Sequence, residues 1–387
     1  MVIQASYPRI TRPPEESFFL LGPRGVGKST WARESFADAH RFDLLDEALY
    51  QGLLADPGLF QGELRTLPPQ RWVVVDEVQR IPSLLNEVRR FIEERRLRFA
   101  LLGSSARKLK TADTNLLAGR ARWKAMFPLI PEELGASFDL DRTLRWGSIA
   151  LVWQANDPRA TLESYVRLYL REEIKAEALV RNLPGFHRFL PVAALFHGQT
   201  VNVSAIARDA GVARTTIAGY LEILEDTLLA RRLPAYEARL RVRERKHPKL
   251  YWIDPGLVRA VKKQLGPVAE EEKGALLEGW VFTLLRAYAE ERELYEEVSY
   301  WAPLQARRTE VDFLLRRGGD HLALEVKSAR RVSSAHLAGL RAVGELRGMV
   351  RRIVVYLGDR TLRTEEGIEI WPLERFLESL DAGNLWP

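Results

Sequence analysis

The chain of 387 residues has no cysteine, three methionines, and six histidines that never recur at ligand spacing. Without thiols there are no disulfides, thiolate nucleophiles or zinc–cysteine sites, and the scattered histidines offer no structural metal site. Long apolar runs are missing too: "FFLLG", "WVVVDE" and "FALLGSSA" are strand-sized, far short of the roughly twenty residues that span a bilayer. No basic-then-apolar leader opens the sequence, so the expected compartment is the cytoplasm, with no membrane partner. Internal repeats and low-complexity tracts are also absent.

What is present is a globular composition, 46% hydrophobic and 28% charged, in a chain too long for one core. Three domains are expected, over residues 1–135, 136–260 and 261–387. The formal charge of +6 permits a polyanionic partner, although arginine-rich surfaces are often only solvated, so position along the chain has to decide.

Residues 22–29, "GPRGVGKS", fit GxxxxGK[ST], preceded by the apolar "SFFLL" and followed by the helix-compatible "TWARESFADA". Gly22, Gly25 and Gly27 shape the loop, and strand, loop and helix start turn backbone N–H groups and a helix dipole onto phosphates. Lys28 reaches the β and γ oxygens, Ser29 supplies a hydroxyl ligand to Mg²⁺, and Thr30 belongs to the same binding set. "RWVVVDEVQRI" reads as a buried parallel strand ending in Asp76 and Glu77, at the end of the strand that faces a ligand crevice. Asp76 is expected in the Mg²⁺ shell and Glu77 on the attacking water. A third strand, "RFALLGSSARKL", ends in Gly103-Ser104-Ser105, which suits both an ordinary turn and a γ-phosphate sensor at Ser104. "LAGRARW" offers Arg120 and Arg122 as arginine fingers or as surface salt bridges.

Together "GPRGVGKST", "VVVDEVQRIPSLLNEVRRFIEE", "LLGSSARKL" and "LAGRARWKAMFPL" resemble a family of bacterial and archaeal AAA-type ATPases that carry a C-terminal domain of uncertain function, and the similarity covers nearly the whole chain. The resemblance implies an AAA+ core with ATP and Mg²⁺ as cofactors, strengthens Ser104 and Arg120, and by analogy implies a homo-oligomer such as a ring, with an arginine across a subunit boundary. The expected fold is α/β: a P-loop AAA+ parallel-sheet core, a winged-helix domain, and an α/β restriction-endonuclease-like C-terminal domain.

In the middle, "RATLESYVRLYLREEIKAEAL" has the spacing of an amphipathic helix. In "VNVSAIARDAGVARTTIAGYLEILED" Ser204 is placed to cap a short helix, Gly211 suits a tight turn, and a second helix projects Arg214, Thr215 and Thr216 from its first turns. The alternating stretch that follows reads as a hairpin wing carrying Arg231, Arg232, Arg239, Arg241, Arg243, Arg245, Lys246 and Lys249 against only Glu237 and Glu244. Such a strip can follow a DNA backbone, while winged helices serve equally as lids and interfaces.

Near the C-terminus, "EVDFLLRRGGDHLALEVKS" reads as two strands about a Gly318-Gly319 turn. That register sets Asp312 opposite Glu325, puts Lys327 on the face of Glu325, and sends Val311, Phe313, Leu324 and Val326 into a core. Paired carboxylates repel unless a cation lies between them, and the order D…ExK, with Glu278 on the upstream helix "GALLEGWVFTLLRAYAEE", is the PD-(D/E)XK nuclease arrangement, which the family's C-terminal domain also resembles. Glu278, Asp312 and Glu325 would be the metal ligands and Lys327 the residue beside the water or phosphate. A nuclease-like domain also persists in some proteins only as a DNA-binding or assembly platform. Three functions remain open: an ATPase that binds and remodels duplex or branched DNA, an ATP-gated Mg²⁺-dependent endonuclease, and a nucleotide switch that binds a protein partner.

Overall fold

The computed structural model describes residues 7–105, 117, 119–169, 183–237, 247–303 and 309–387. Strands rich in β-branched and aromatic residues with no polar alternation require cover on both faces. Phe18–Leu21 (β1), His40–Asp43 (β2), Trp72–Asp76 (β3), Arg98–Gly103 (β4) and Arg122–Ala125 (β5) accordingly build a parallel sheet in the order β2-β3-β4-β1-β5. Phe18, Leu20, Val74 and Leu102 pack with Trp31 of helix Lys28–Ser35 (α1), and Phe19, Leu21, Val75 and Leu101 pack with Val88 and Phe91 of helix Leu84–Arg95 (α2). Because β4 lies between β1 and β3, the C-terminal ends of these three strands meet at one edge.

The middle of the chain runs helix Leu183–Leu195, strand Gln199–Thr200 (β6), helices Val203–Ala210 (α3) and Arg214–Asp226 (α4), then strands Ala230–Leu233 (β7) and Lys249–Trp252 (β8), in an antiparallel sheet ordered β6-β8-β7. Asn202, not Ser204, caps α3, accepting the Ala205 N–H at 3.0 Å. Ser204 already lies inside the helix, whereas a cap must precede the first helical residue. Gly211, at φ 60, ends α3 in the left-handed conformation that a glycine adopts without strain. Of the expected amphipathic helix, Pro158–Ser164 and a short π-helical continuation, Tyr165–Tyr169, are described.

Helix Glu270–Arg292 (α5) then packs on a mixed sheet of Glu297–Trp301 (β9), Val311–Arg317 (β10), Asp320–Lys327 (β11), Met349–Tyr356 (β12), Leu362–Arg363 (β13) and Glu369–Pro372 (β14), ordered β13-β14-β12-β11-β10-β9. The β10–β11 hairpin turns at Gly318-Gly319 and pairs Phe313 with Leu324 and Arg317 with Asp320, the expected register. Val311 departs from expectation. A register shift against β9 between Val311 and Leu314 turns it to the opposite face from Phe313, where it packs with Leu314 and Leu340. One apolar core runs on through the middle and C-terminal parts, bringing Leu224, Tyr251 and Leu257 together with Phe282, Phe313 and Trp371.

Candidate functional site

At the sheet edge where β1, β3 and β4 end, the loop of residues 22–27 wraps into α1. Gly27 caps the helix at φ 101, a conformation that L side chains rarely adopt, and a Cβ at Gly22 would lie 2.5 Å from the Met126 carbonyl oxygen. Lys28 is buried, its ammonium donating to the Gly22 and Pro23 carbonyls at 2.7 and 3.2 Å. The hydroxyl of Ser29 hydrogen-bonds to Asp76, whose pKa burial pushes up against that bond. A hydroxyl beside a desolvated carboxylate is the oxygen donor set a hard divalent cation takes, so Ser29 and Asp76 fit Mg²⁺. A cavity of about 310 Å³ opens over the loop, lined by Tyr7, Arg9, Gly25, Lys28, Glu77 and Gln154 among others.

Glu77 is almost fully buried and sits in the left-handed region at φ 55, a turn that carries its side chain toward β4. There Ser104 Oγ donates to Glu77 Oε2 at 3.2 Å, and the amide of Gln79 donates both to the same carboxylate and, at 2.9 Å, to Ser104 Oγ. Residues 14–135 match the family model of an AAA domain. The N-terminal third is a P-loop ATPase domain of the AAA type.

The rest of the chain matches two families described as domains of unknown function, DUF8612 over residues 137–267 and DUF4143 over 273–376. Over 376 residues it is 27% identical to uncharacterized proteins of Mycobacterium bovis and Mycobacterium tuberculosis, covering 95% of this chain and 82% of each of theirs. Among solved structures, the Aeropyrum pernix ORC1 protein in complex with DNA is similar at a TM-score of 0.28 and 14% identity, over 66% of this chain and 87% of that one. Protein VC1899 from Vibrio cholerae is similar at 0.24 and 13%, over 95% and 96%. Likenesses this slight carry no argument about this chain.

Two residues of the nucleotide site escape sequence reasoning. Arg9 reaches in from the start of the chain, donating to the Val26 and Phe127 carbonyls at 2.6 Å each and pairing with Glu133 at 2.9 Å, so it braces the loop from contacts that only folding creates. Gln79 follows Glu77 by two residues, a spacing with no periodic signal, and reaches Glu77 and Ser104 through a short 3₁₀ turn, Val78–Arg80. Of the expected arginine fingers, Arg120 pairs with Glu93 at 2.7 Å and Arg122 with Glu16 at 3.0 Å.

The C-terminal carboxylates assemble differently. Asp312 and Glu325 lie across the hairpin, both buried, with the Asp312 N–H donating to Glu325 Oε2 at 3.3 Å and the Val326 N–H to Asp312 Oδ2 at 2.9 Å. Glu278 arrives from α5 and Glu310 from the approach to β10. Lys327 pairs with Glu325 and comes to 4.0 Å from Asp312. Burial, then the charge of Asp312, pushes the carboxyls of Glu278 and Glu325 up to about 7 and about 8. Among the described residues no group of three or more His, Cys, Asp or Glu side chains is arranged to hold a metal ion. The cluster closes on lysines instead.

One of those lysines corrects the reading of the basic strip. Lys249 is not on the wing surface; it is 3% exposed, with its ammonium 3.0 Å from Glu278 Oε1, paired with Glu310, and 3.7 Å from Asp312 Oδ1. Tyr251, two residues along β8, donates its hydroxyl to Glu278 as well. Burial pulls the Lys249 ammonium down, but Glu278, Asp312 and Glu310 outweigh it and hold the group above the usual lysine range. Arg232 is also neutralised, by Glu225 at the end of α4. Arg214 and Thr215 are exposed at the first turn of α4 and Thr216 is half-buried, whereas Arg239, Arg241, Arg243, Arg245 and Lys246 lie outside the described residues.

Proposed function

We propose that the protein hydrolyses ATP to drive or gate an engagement with DNA, binding and remodelling a duplex or branched substrate. The observation that carries the reading is the convergence of Lys28, Ser29, Asp76, Glu77 and Ser104 at the edge where three parallel strands end. In the reaction the loop N–H groups and the start of α1 seat the phosphates, and Lys28 exchanges its two carbonyl partners for phosphate oxygens. Mg²⁺, when bound at Ser29 and Asp76, supplies neutralisation of phosphate charge. Glu77, positioned by Ser104 and Gln79, takes a proton from the attacking water as its oxygen bonds to the γ phosphorus; the bond to the β–γ bridging oxygen breaks, leaving ADP and phosphate.

Support for DNA comes from the middle unit. Its order of helix, strand, helix, helix, strand, strand, with the sheet arranged β6-β8-β7, supports a winged-helix reading, and Arg214 and Thr215 stand exposed where the second helix of the pair begins. ATP turnover measured with linear, supercoiled and four-way-branched DNA tests both halves. Acceleration by DNA that Glu77→Gln abolishes supports the reading; a rate that no form of DNA changes removes the DNA half and leaves hydrolysis standing. An assembly in which Arg120 reaches a neighbouring nucleotide requires its pair with Glu93 to open.

A further inference from the structure

Four carboxylates, Glu278, Glu310, Asp312 and Glu325, meet two ammonium groups, and only Lys327 belongs to the hairpin itself. Lys249 comes from the central strand of the middle sheet. An ammonium has three N–H donors and no acceptor; Lys249 directs two of them to Glu278 and Glu310, and Asp312 stands 3.7 Å away as a charge partner. Its side chain is 4% exposed, the Tyr300 ring lies beside it at 5.6 Å, and the neighbouring Tyr251 hydroxyl donates to the same Glu278 Oε1 that accepts from Lys249. A buried cation is tolerated only where its charge is met, and here two hydrogen-bonded carboxylates and the nearby charge of Asp312 meet it.

We infer that Lys249 is the resident cation of this cluster: its ammonium fills the position that Glu278, Glu310 and Asp312 would otherwise offer to a divalent ion. The intact chain therefore takes no divalent metal there, and the nuclease-like sheet serves as a seat onto which the middle sheet is locked through β8. A metal cannot enter while Lys249 stays, since a divalent ion bridging Glu278 and Asp312 would stand within a few ångströms of a positive charge sharing the same oxygens. The D…ExK pattern is thus complete in residue types, with its charge balance supplied from outside the hairpin.

The test uses the full chain without nucleotide and reads Mn²⁺ binding by electron paramagnetic resonance for wild type, Asp312→Ala, Lys249→Ala and the double variant Lys249→Ala/Asp312→Ala. Wild type and Asp312→Ala should bind Mn²⁺ alike, while Lys249→Ala should gain one site that the double variant loses. A wild-type Mn²⁺ site that Asp312→Ala removes would overturn the inference, as would a folded Lys249→Ala that gains no site. Should Lys249→Ala fail to fold, Lys249→Met keeps the aliphatic stem and replaces it, and the comparison of wild type with Asp312→Ala decides by itself. The same proteins with Mn²⁺ and supercoiled DNA give a second readout: intact DNA with wild type is expected, and fragments that vanish in Asp312→Ala would sink the proposal independently of ATP turnover.

Discussion

Two pairs of carboxylates stand on β-strands of this chain or at a strand's end, and their surroundings differ in kind. Asp76 and Glu77 close a strand of a parallel sheet, Glu77 lining a cavity, with a hydroxyl each, from Ser29 and Ser104, as near partners. Asp312 and Glu325 face each other across a hairpin and meet the ammonium groups of Lys249 and Lys327. The residue types are the same. What separates a site that can take a ligand from one whose charge is already met is the identity of the side chain that a distant element puts opposite. A hydroxyl leaves carboxylate charge for a cation to neutralise, whereas an ammonium neutralises it directly.

The contrast breaks most visibly in ATP turnover. Lys28→Ala and Glu77→Gln should each lower the steady-state rate of phosphate release by ~10²–10⁴-fold, the usual worth of a positioned acid–base group or a phosphate clamp, while Asp312→Ala leaves it unchanged. If Asp312→Ala slows hydrolysis as much, the two sites are one machine and the comparison fails. Next in size is stability. Lys249→Ala strands three buried or half-buried carboxylates, so urea unfolding should show a loss of about 3–5 kcal/mol. Arg122→Ala, whose exposed partner is Glu16, should change almost nothing, and equal losses would mean that the Lys249 pairs are no more than surface bridges.

Gln79→Ala sharpens the nucleotide side. Freeing Glu77 from one of its two positioning donors should slow turnover by about tenfold with little change in KM, because the group orients another rather than binding substrate. The smallest effect is a pH trend. Glu278 and Glu325 have folded values raised to about 7 and about 8, above the unfolded carboxylate range, so their stabilising contribution is complete at low pH and is lost as pH rises through 7 to 8. The thermal midpoint should therefore fall from about pH 5 to about pH 8 and level off above it, and Glu325→Gln should flatten the fall; an unaltered slope in that variant would assign the trend elsewhere.

Much of the nucleotide site was legible in the sequence because each part is local. A strand, a glycine loop and a helix start lie within a few residues of one another, and Asp76-Glu77 marks the end of its own strand. The hairpin register was legible for the same reason, since a two-residue turn sets every cross-strand pair that follows it. Val311 escaped because a register shift against β9 reverses its face, and that shift depends on the partner strand. Arg9 escaped because its carboxylate partner is 124 residues away. The cap at Asn202 rather than Ser204 is a smaller miss of the same origin, in that both residue types cap helices and the helix start decides between them.

By itself, then, the sequence determined the phosphate loop, the acidic pair that ends the strand beside it and the opposition of Asp312 to Glu325, all of which follow from patterns shorter than one supersecondary unit. Only the tertiary structure decided that Glu77 is held by Ser104 and Gln79, and that Lys249, which looks like one more cation of a basic strip, is buried among Glu278, Glu310 and Asp312. The physical reason is that a charge finds its partner through packing: once apolar residues bring the middle sheet against α5 and the C-terminal sheet, an ammonium on β8 has no water left to face and must pair with carboxylates.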